Sequence, residues 1–329
     1  MGYRSAFWFI DRYSIANCKC DSVVDMSGVS DKEIETELTK LLEKANRYPY
    51  LFVGSGMSKR YMGLPNWQGF LEWVCQSVGA PMLPWWEYAQ KAKKDTDGVD
   101  YPYATSLMEE DFQKAICSTS ENVKMKKWAQ THSDQLGMGK NAMKIYIAEH
   151  LAAASANGID DNLKNELALL KKAGTHIAGI ITTNYDKMLE RCFPDYDSYA
   201  SQSELLFSSE MSLACIYKIH GTVTDPESMV LDKSDYQRLT ENRQYLESKI
   251  MTIFGEYPVI FLGYSIKDED IRSMISSLVR CAGIEKACRL AERFVFVEWA
   301  HERSSAIEQT TMPVDSWGIS MTKNKGRKL

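Results

Sequence analysis

Phe52 to Trp67 reads FVGSGMSKRYMGLPNW. The apolar run before and into it, YPYLFVG (Tyr48 to Gly54), ends in glycine and reads as a buried strand feeding a loop. Gly54 and Gly56 stand one residue apart directly after that strand, which is how a dinucleotide-binding loop opens. The third glycine of G-x-G-x-x-G belongs at position 59, where the chain has Lys59. On residue pattern alone the stretch is a broken nucleotide fingerprint, a tight turn, or a loop with chemistry of its own.

The chain on either side narrows the choice. Ser30-Asp31-Lys32-Glu33 has the form of a capping box, and Ile34, Leu38, Leu41 and Leu42 follow at helical spacing, so a helix is expected to about Asn46. Asn66 to Val78 starts a second helix. Residues 79–174 contain no convincing strand; helical segments are expected over Trp85–Lys94, Tyr103–Ile116, Ala142–Ser155 and Asn162–Ala173. Trp85, Trp86 and Tyr103 within this stretch read as core aromatics. Then the pattern changes. His176–Thr183, Ala214–His220, Pro258–Tyr264 and Arg293–Trp299 are short runs rich in β-branched and aromatic residues, and Trp317–Met321 is a candidate last strand. Such runs suit parallel strands covered on both faces. Helical patterns over Ser234–Tyr257 and Asp268–Gly283 separate them. Strand and helix in alternation predict an α/β fold: a doubly wound, mostly parallel Rossmann-like sheet with a large helical insertion. The expected division is a Rossmann domain over 30–78 and 175–322, an insertion over 79–174, and a basic tail over 323–329. Residues 1–29 show no clear periodicity and read as a poorly ordered extension, or as a mis-called one with the natural start at Met26.

Bulk properties exclude several classes. With 329 residues, 44% apolar and 25% charged, the chain has ordinary globular composition. A net charge of −5 gives no basic surplus for nucleic acid, so no direct nucleic-acid binding is expected. No apolar run has the length of a membrane span, and AFWFI (Ala6 to Ile10) is too short for a signal-peptide core. The eight cysteines are scattered without a C-x-x-C, so they read as reduced thiols of a cytoplasmic protein, with no metal site.

In a doubly wound sheet, ligands bind beyond the carboxyl ends of the strands. The first strand delivers Gly54, Ser55, Gly56 and Ser58 there; the second Thr183, Asn184, Tyr185 and Asp186; the third His220, Gly221 and Thr222; the fourth Gly263, Tyr264 and Ser265, then Asp268. Each group alone has a structural reading: a turn for the glycines, a satisfied strand-end histidine, a helix cap for Asn184 or Asp186. Independent structural causes would not gather them all at one edge.

Together the motifs resemble the sirtuin-like family. GSGMSKRYMGLPNW looks like its first cofactor loop, G-[AS]-G-x-S followed by G-[IL]-P and so by Pro65; TTNYD looks like T-x-N-x-D; KIHG carries its histidine-glycine pair; FLGYSIKDEDI resembles F-x-G-[YF]-S-x-x-D. They occur in family order from Phe52 to Ile271. Two departures speak against the protein-deacylating branch. No cysteine lies between Cys215 and Cys281, where that branch binds zinc, and Pro65 is followed by Asn66 and Trp67 rather than Phe-Arg. The chain is more similar to the zinc-free branch in bacterial anti-phage systems, such as the NAD-cleaving effector of Thoeris-type systems.

That resemblance implies NAD+ as substrate, no zinc, and hydrolysis to nicotinamide and an ADP-ribose product in abortive infection. It implies a phosphate-facing role for Gly54, Ser55 and Gly56 at a helix N-terminus, with Ser58, Pro65 and Thr183 completing the cofactor loops. Asn184 would hold water and the ribose hydroxyls through its amide, and His220 would act as general base. Asp186 either orients the nicotinamide end or caps a helix. Gly263, Tyr264 and Ser265 would line the adenosine side. Rival readings are a non-catalytic NAD+ or ADP-ribose sensor, a deacylase or ADP-ribosyltransferase, and a plain Rossmann dehydrogenase. An NAD+-depleting enzyme has to be restrained, so a homo-oligomer, a separate sensor subunit or a sensor domain beyond this chain is expected.

Overall fold

A computed structural model describes residues 7–15, 36, 39–40, 42–94, 98–117, 122–156, 161–201, 204, 214–242, 244–264, 269–283, 290, 293–300, 309–313 and 320–324. Its strands are β1 (Phe7–Ile15), β2 (Tyr50–Val53), β3 (Gly179–Thr182), β4 (Asp197–Tyr199), β5 (Cys215–Lys218), β6 (Val259–Leu262), β7 (Phe294–Ala300), β8 (Gln309–Pro313) and β9 (Ser320–Asn324). They form one sheet in the order β4-β5-β3-β2-β6-β7-β1-β9-β8. The first six are all parallel, and β1, β9 and β8 continue the sheet with antiparallel pairing. The doubly wound Rossmann-like class holds.

The helices are α1 (Ser55–Met62), α2 (Trp67–Val78), α3 (Trp85–Lys91), α4 (Tyr101–Cys117), α5 (Val123–Thr131), α6 (Ser133–Gly137), α7 (Ala142–Ala156), α8 (Asp161–Ala173), α9 (Met188–Cys192), α10 (Lys233–Asn242), α11 (Gln244–Glu256) and α12 (Glu269–Ala282). Period-2 alternation along the strands sorts side chains onto two faces. Phe52, Ile181, Cys215 and Tyr217 face α11 and α12, meeting Ile253, Phe254, Met274 and Ile275. Leu51, Val53, Ile180 and Ile216 face the other way, against Met57 and Tyr61 of α1, Leu167 of α8 and Leu189 of α9. Each fully buried side chain of this size contributes about 1.5–3 kcal/mol.

A third core holds α2 through α7 together, with Leu71, Met108, Phe112 and Met125 fully buried in it. It also takes in Tyr185, Val223, Met229 and Leu231, so the helical unit is packed directly onto the segments that follow β3 and β5. Of the three aromatics expected in a core, Trp85 is buried, whereas Trp86 and Tyr103 are exposed. Adjacent positions on a helix point about 100° apart, so Trp85 and Trp86 cannot both face inward. Tyr103 instead presents its ring to the Lys233 ammonium at 5.2 Å.

Other features differ from the sequence expectation. The stretch after Gly54 is helix α1 rather than a loop, bounded by Gly54 in extended conformation and Gly63 in the left-handed region. The pattern over 234–257 divides into α10 and α11. Short α5 and α6 lie between the expected helices, and β1, β4 and β8 are additional strands. The expected capping box, Ser30 to Glu33, lies outside the described residues, where residues 36, 39–40 and 42–45 are helical.

Candidate active site

Strand β2 has β3 on one side and β6 on the other, and the helices that follow β2 and β6 lie on opposite faces. That is a topological switch point, where the carboxyl edge of a doubly wound sheet opens into a crevice. Gly54 donates its amide to Leu262 O at 3.0 Å and Gly56 donates to Gly263 O at 2.9 Å. A Cβ on Gly56 would stand 2.7 Å from Gly263 Cα, and one on Gly54 would stand 2.6 Å from Gly263 O. Gly263 itself has φ +60 and faces Gly56 Cα. The glycines are therefore required by the mutual approach of two chain segments, and the Gly54 and Gly56 amides are committed to the end of β6 and the residue after it. Ser55 is exposed at the first turn of α1.

The segment after β3 is fixed from several sides. Thr182 Oγ1 donates to Val53 O at 2.9 Å and accepts from the Asn184 amide at 3.0 Å. Asn184 Nδ2 donates to Gly54 O and to Ser58 Oγ, both at 2.9 Å. Ser58 Oγ donates onward to Asp186 Oδ2 at 2.6 Å, and Asp186 Oδ1 accepts from the Met188 amide at 2.9 Å. Asn184, Ser58 and Asp186 are all buried. Both Nδ2 hydrogens of Asn184 are thus used inside the protein, and its carbonyl oxygen is what the amide can offer a ligand. Asp186 spends both carboxylate oxygens on Ser58 and on the start of α9. Of its two expected roles, the geometry displays the helix-capping one, extended to holding Ser58.

Lys218 was not singled out from the sequence. Its buried ammonium donates to Asp186 O and, at 3.1 Å, to Glu190 Oε1. The signal was available: a lysine closing the otherwise apolar run CIYK needs an acceptor if the strand is buried.

His220 follows β5 and is almost wholly enclosed. Ile219 donates its amide to Thr182 O at 3.0 Å and Val223 donates to Tyr185 O at 3.0 Å, so the Asn184 and His220 segments run side by side. Val230 returns to donate to His220 O at 2.9 Å, and Tyr185 Oη donates to Val230 O at 2.7 Å. Gly221 has φ +87, and a Cβ there would meet Ser228 O at 2.1 Å, so only glycine permits this clasp. The His220 ring meets Tyr236 of α10 edge to face, centroids 5.6 Å apart. A cavity of about 230 Å³ opens on this arm, between Ile219, Met229, Val230 and Arg238.

The remaining expected residues divide. Thr183 is half-buried beside Asn184, while Thr182 makes the contacts described. Pro65 is exposed in the turn between α1 and α2, next to Asn66, which caps α2 by accepting from Gly69 N at 2.9 Å. The Tyr264 ring packs into the core against Phe52, centroids 4.6 Å apart, because an aromatic ring gains more from that core than from an open crevice; an adenosine-lining role does not fit its ring. Ser265 and Asp268 lie outside the described residues. Among the described residues, no group of three or more His, Cys, Asp or Glu could hold a metal ion. No helix among them is long and apolar enough to cross a membrane.

Fold and site define a class: a doubly wound α/β domain with an Asn–Ser–Asp network and an enclosed histidine at the switch-point edge. Residues 178–311 match the family model of the SIR2-like domain, so the chain carries a SIR2-like domain. It is homologous, at low identity and over part of its length, to two proteins named NAD(+) hydrolase ThsA. The one from Cytobacillus dafuensis is 29% identical over 101 residues, 30% of this chain and 20% of that protein. The one from Bacillus cereus (strain MSX-D12) is 26% identical over 102 residues, 29% of this chain and 21% of that protein. The matched region is thus about a fifth of the length of these relatives. The family match begins at β3's approach and leaves out the Gly54–Ser58 segment; hydrogen bonds from Asn184 to Gly54 and Ser58 join that segment to the matched part.

Proposed function

We propose that this chain is an NAD+ hydrolase that cleaves the nicotinamide–ribose bond, giving nicotinamide and ADP-ribose, and that it acts by depleting NAD+ in anti-phage defence. The observation that carries the reading is the joint placement of Asn184 and His220 on neighbouring segments at the switch point, with Asn184 locked by Gly54 and Ser58. Two relatives named as NAD(+) hydrolases support it.

Departure of nicotinamide from the pyridinium form leaves a neutral molecule and puts positive charge on the ribose carbon. The protein has to hold the ribose, stabilise that charge and admit one water. The Asn184 carbonyl oxygen, fixed by the two bonds of its amide nitrogen, faces the developing charge and the ribose hydroxyls. His220 takes the proton of the attacking water as its oxygen bonds to the ribose carbon. The dinucleotide's pyrophosphate lies at the first turn of α1 beside Ser55. The enzyme is held in check by self-association, by a sensor subunit or by a sensing domain, since unrestrained NAD+ loss is lethal to the cell that makes it.

The test is nicotinamide release from NAD+ by the purified chain, with Asn184→Ala and His220→Ala alongside. His220→Ala lowers release by a factor of about 10² or more, as loss of a positioned base does, and Asn184→Ala by a factor of about 10² or more, as loss of a fixed dipole at a developing charge does. Release at the wild-type rate in either variant refutes the role given to that residue. NAD+ binding with no release from any form means a sensing module or an enzyme locked by its regulator, and no NAD+ binding refutes the reading.

A further inference from the structure

The segment that clasps His220 is anchored in the helical unit by buried charge. Asp232 and Asp235 make a reciprocal capping box at the start of α10. Asp232 Oδ1 accepts from the Asp235 amide at 2.8 Å and Asp235 Oδ2 accepts from the Asp232 amide at 3.2 Å. Asp235 Oδ1 also accepts from Lys144 Nζ of α7 at 2.6 Å, and both side chains of this ion pair are buried, at 2% and 4% exposure. Arg238 adds a second, mostly exposed cation to Asp235. Two further links run alongside. The Lys233 amide donates to Ser106 Oγ at 3.2 Å, and the Asn141 amide donates to Glu227 Oε1 at 2.7 Å. One residue beyond Asp235, Tyr236 meets the His220 ring.

A capping box alone satisfies α10's first turn and needs no lysine from elsewhere. Burying an ammonium and a carboxylate is costly, and apolar side chains would fill such a space at no loss of stability. What Lys144 adds is a fixed position for α10 relative to the helical unit, and hence for Tyr236 against His220. We propose that Lys144 is a positioning residue for His220: the helical unit sets the histidine's orientation through Lys144, Asp235 and Tyr236, so that a displacement of α7 reaches the site. This rests on the reading of His220 as the base. It makes the helical unit the element through which a regulator can silence or release the enzyme.

Two readouts separate this proposal from the function it rests on. The first is the side-chain NMR signal of His220 in the full chain labelled with ¹⁵N-histidine, assigned by its loss in His220→Ala and followed through a pH titration. Lys144→Met shifts the His220 signal and its titration midpoint, Lys144→Arg restores them toward wild type, and Lys140→Met on the exposed neighbouring turn leaves them alone. Tyr236→Leu, which spares the buried ion pair, produces a shift as well. The second is nicotinamide release, where Lys144→Met lowers kcat about tenfold with little change in KM, as misplacement of a catalytic group at a distance does. An unchanged His220 titration in folded Lys144→Met, or in Tyr236→Leu if Lys144→Met does not fold, overturns the proposal. Shifted His220 signals with neither release nor NAD+ binding by the wild type sustain the coupling and refute the hydrolase.

Discussion

Gly56 and Gly263 touch backbone to backbone, and that contact explains why the opening motif could be recognised for one reason and be required for another. The spacing of Gly54 and Gly56 marks a nucleotide loop, yet their amides bond Leu262 and Gly263 and their missing side chains admit Gly263. Gly56→Ala places a methyl 2.7 Å from both Gly263 Cα and Gly263 O, and neither neighbour is a side chain that can swing away. The expected loss is about 1–3 kcal/mol from overpacking, or more if the segments separate. Thermal unfolding measures it; a melting temperature equal to wild type would show that the two loops have room to spare. At the same scale, Asn184, Asp186 and His220 were legible because polar groups stand where apolar strand runs stop. Their division of labour was not, since it depends on Ser58 accepting from Asn184 and donating to Asp186 across 126 and 128 residues of chain.

Strands β3, β5, β6 and β7 announce themselves as β-branched and aromatic runs because parallel strands are covered on both faces. Strand β4, with the sequence DSY at an edge of the sheet and mostly exposed, carries no such run and was invisible. Helix α1 was hidden for a related reason: with Gly56 in its first turn and the bonds of Gly54 drawing it to β6, tertiary contacts rather than propensity make it helical. The tie between β5 and α9 shows what an element needs when a charge is buried in it. Lys218 Nζ serves the Asp186 carbonyl and Glu190, so Lys218→Met leaves a carbonyl unserved and Glu190 without its cation. Glu190 is partly exposed, so water recovers some of the loss and the expected destabilisation is about 2–3 kcal/mol, at or below the lower end for a broken buried pair. Lys218→Met combined with Glu190→Gln is expected to cost less than the sum of the two single changes. Urea unfolding of the four proteins gives the coupling directly, and strict additivity would remove the ion pair from the account.

At the scale of the whole molecule, the junction between the helical unit and the sheet carries a carboxyl group out of its usual range. Burial, then the hydrogen bond and negative charge of Asp232, push Glu109 up to about 7, while Asn141 and Lys144 pull it the other way. Asp232 is held below its ordinary value in spite of burial, chiefly by the bond from Glu109 and by its capping contacts. Glu109 is therefore the group of this pair that gives up its proton near neutral pH. An unfolded chain releases the Glu109 proton near the ordinary carboxylate value, and the folded protein keeps it until about 7. Between those two values the folded state binds more protons, so Glu109's contribution is complete below the window and is lost as pH rises through it. Asp232 has the opposite slope, in a more acidic range, and does not cancel this. Glu109→Gln keeps an oxygen for Asn141 and a permanent N–H for Asp232 but has no proton to lose. Urea midpoints at pH 5.5 and pH 8 are expected to fall more for the wild type than for Glu109→Gln, with every other titrating group common to both. Parallel behaviour of the two proteins would mean that folded Glu109 does not keep its proton toward neutral pH. A larger drop in the wild type would mean that the contact between helical unit and sheet weakens within the physiological pH range.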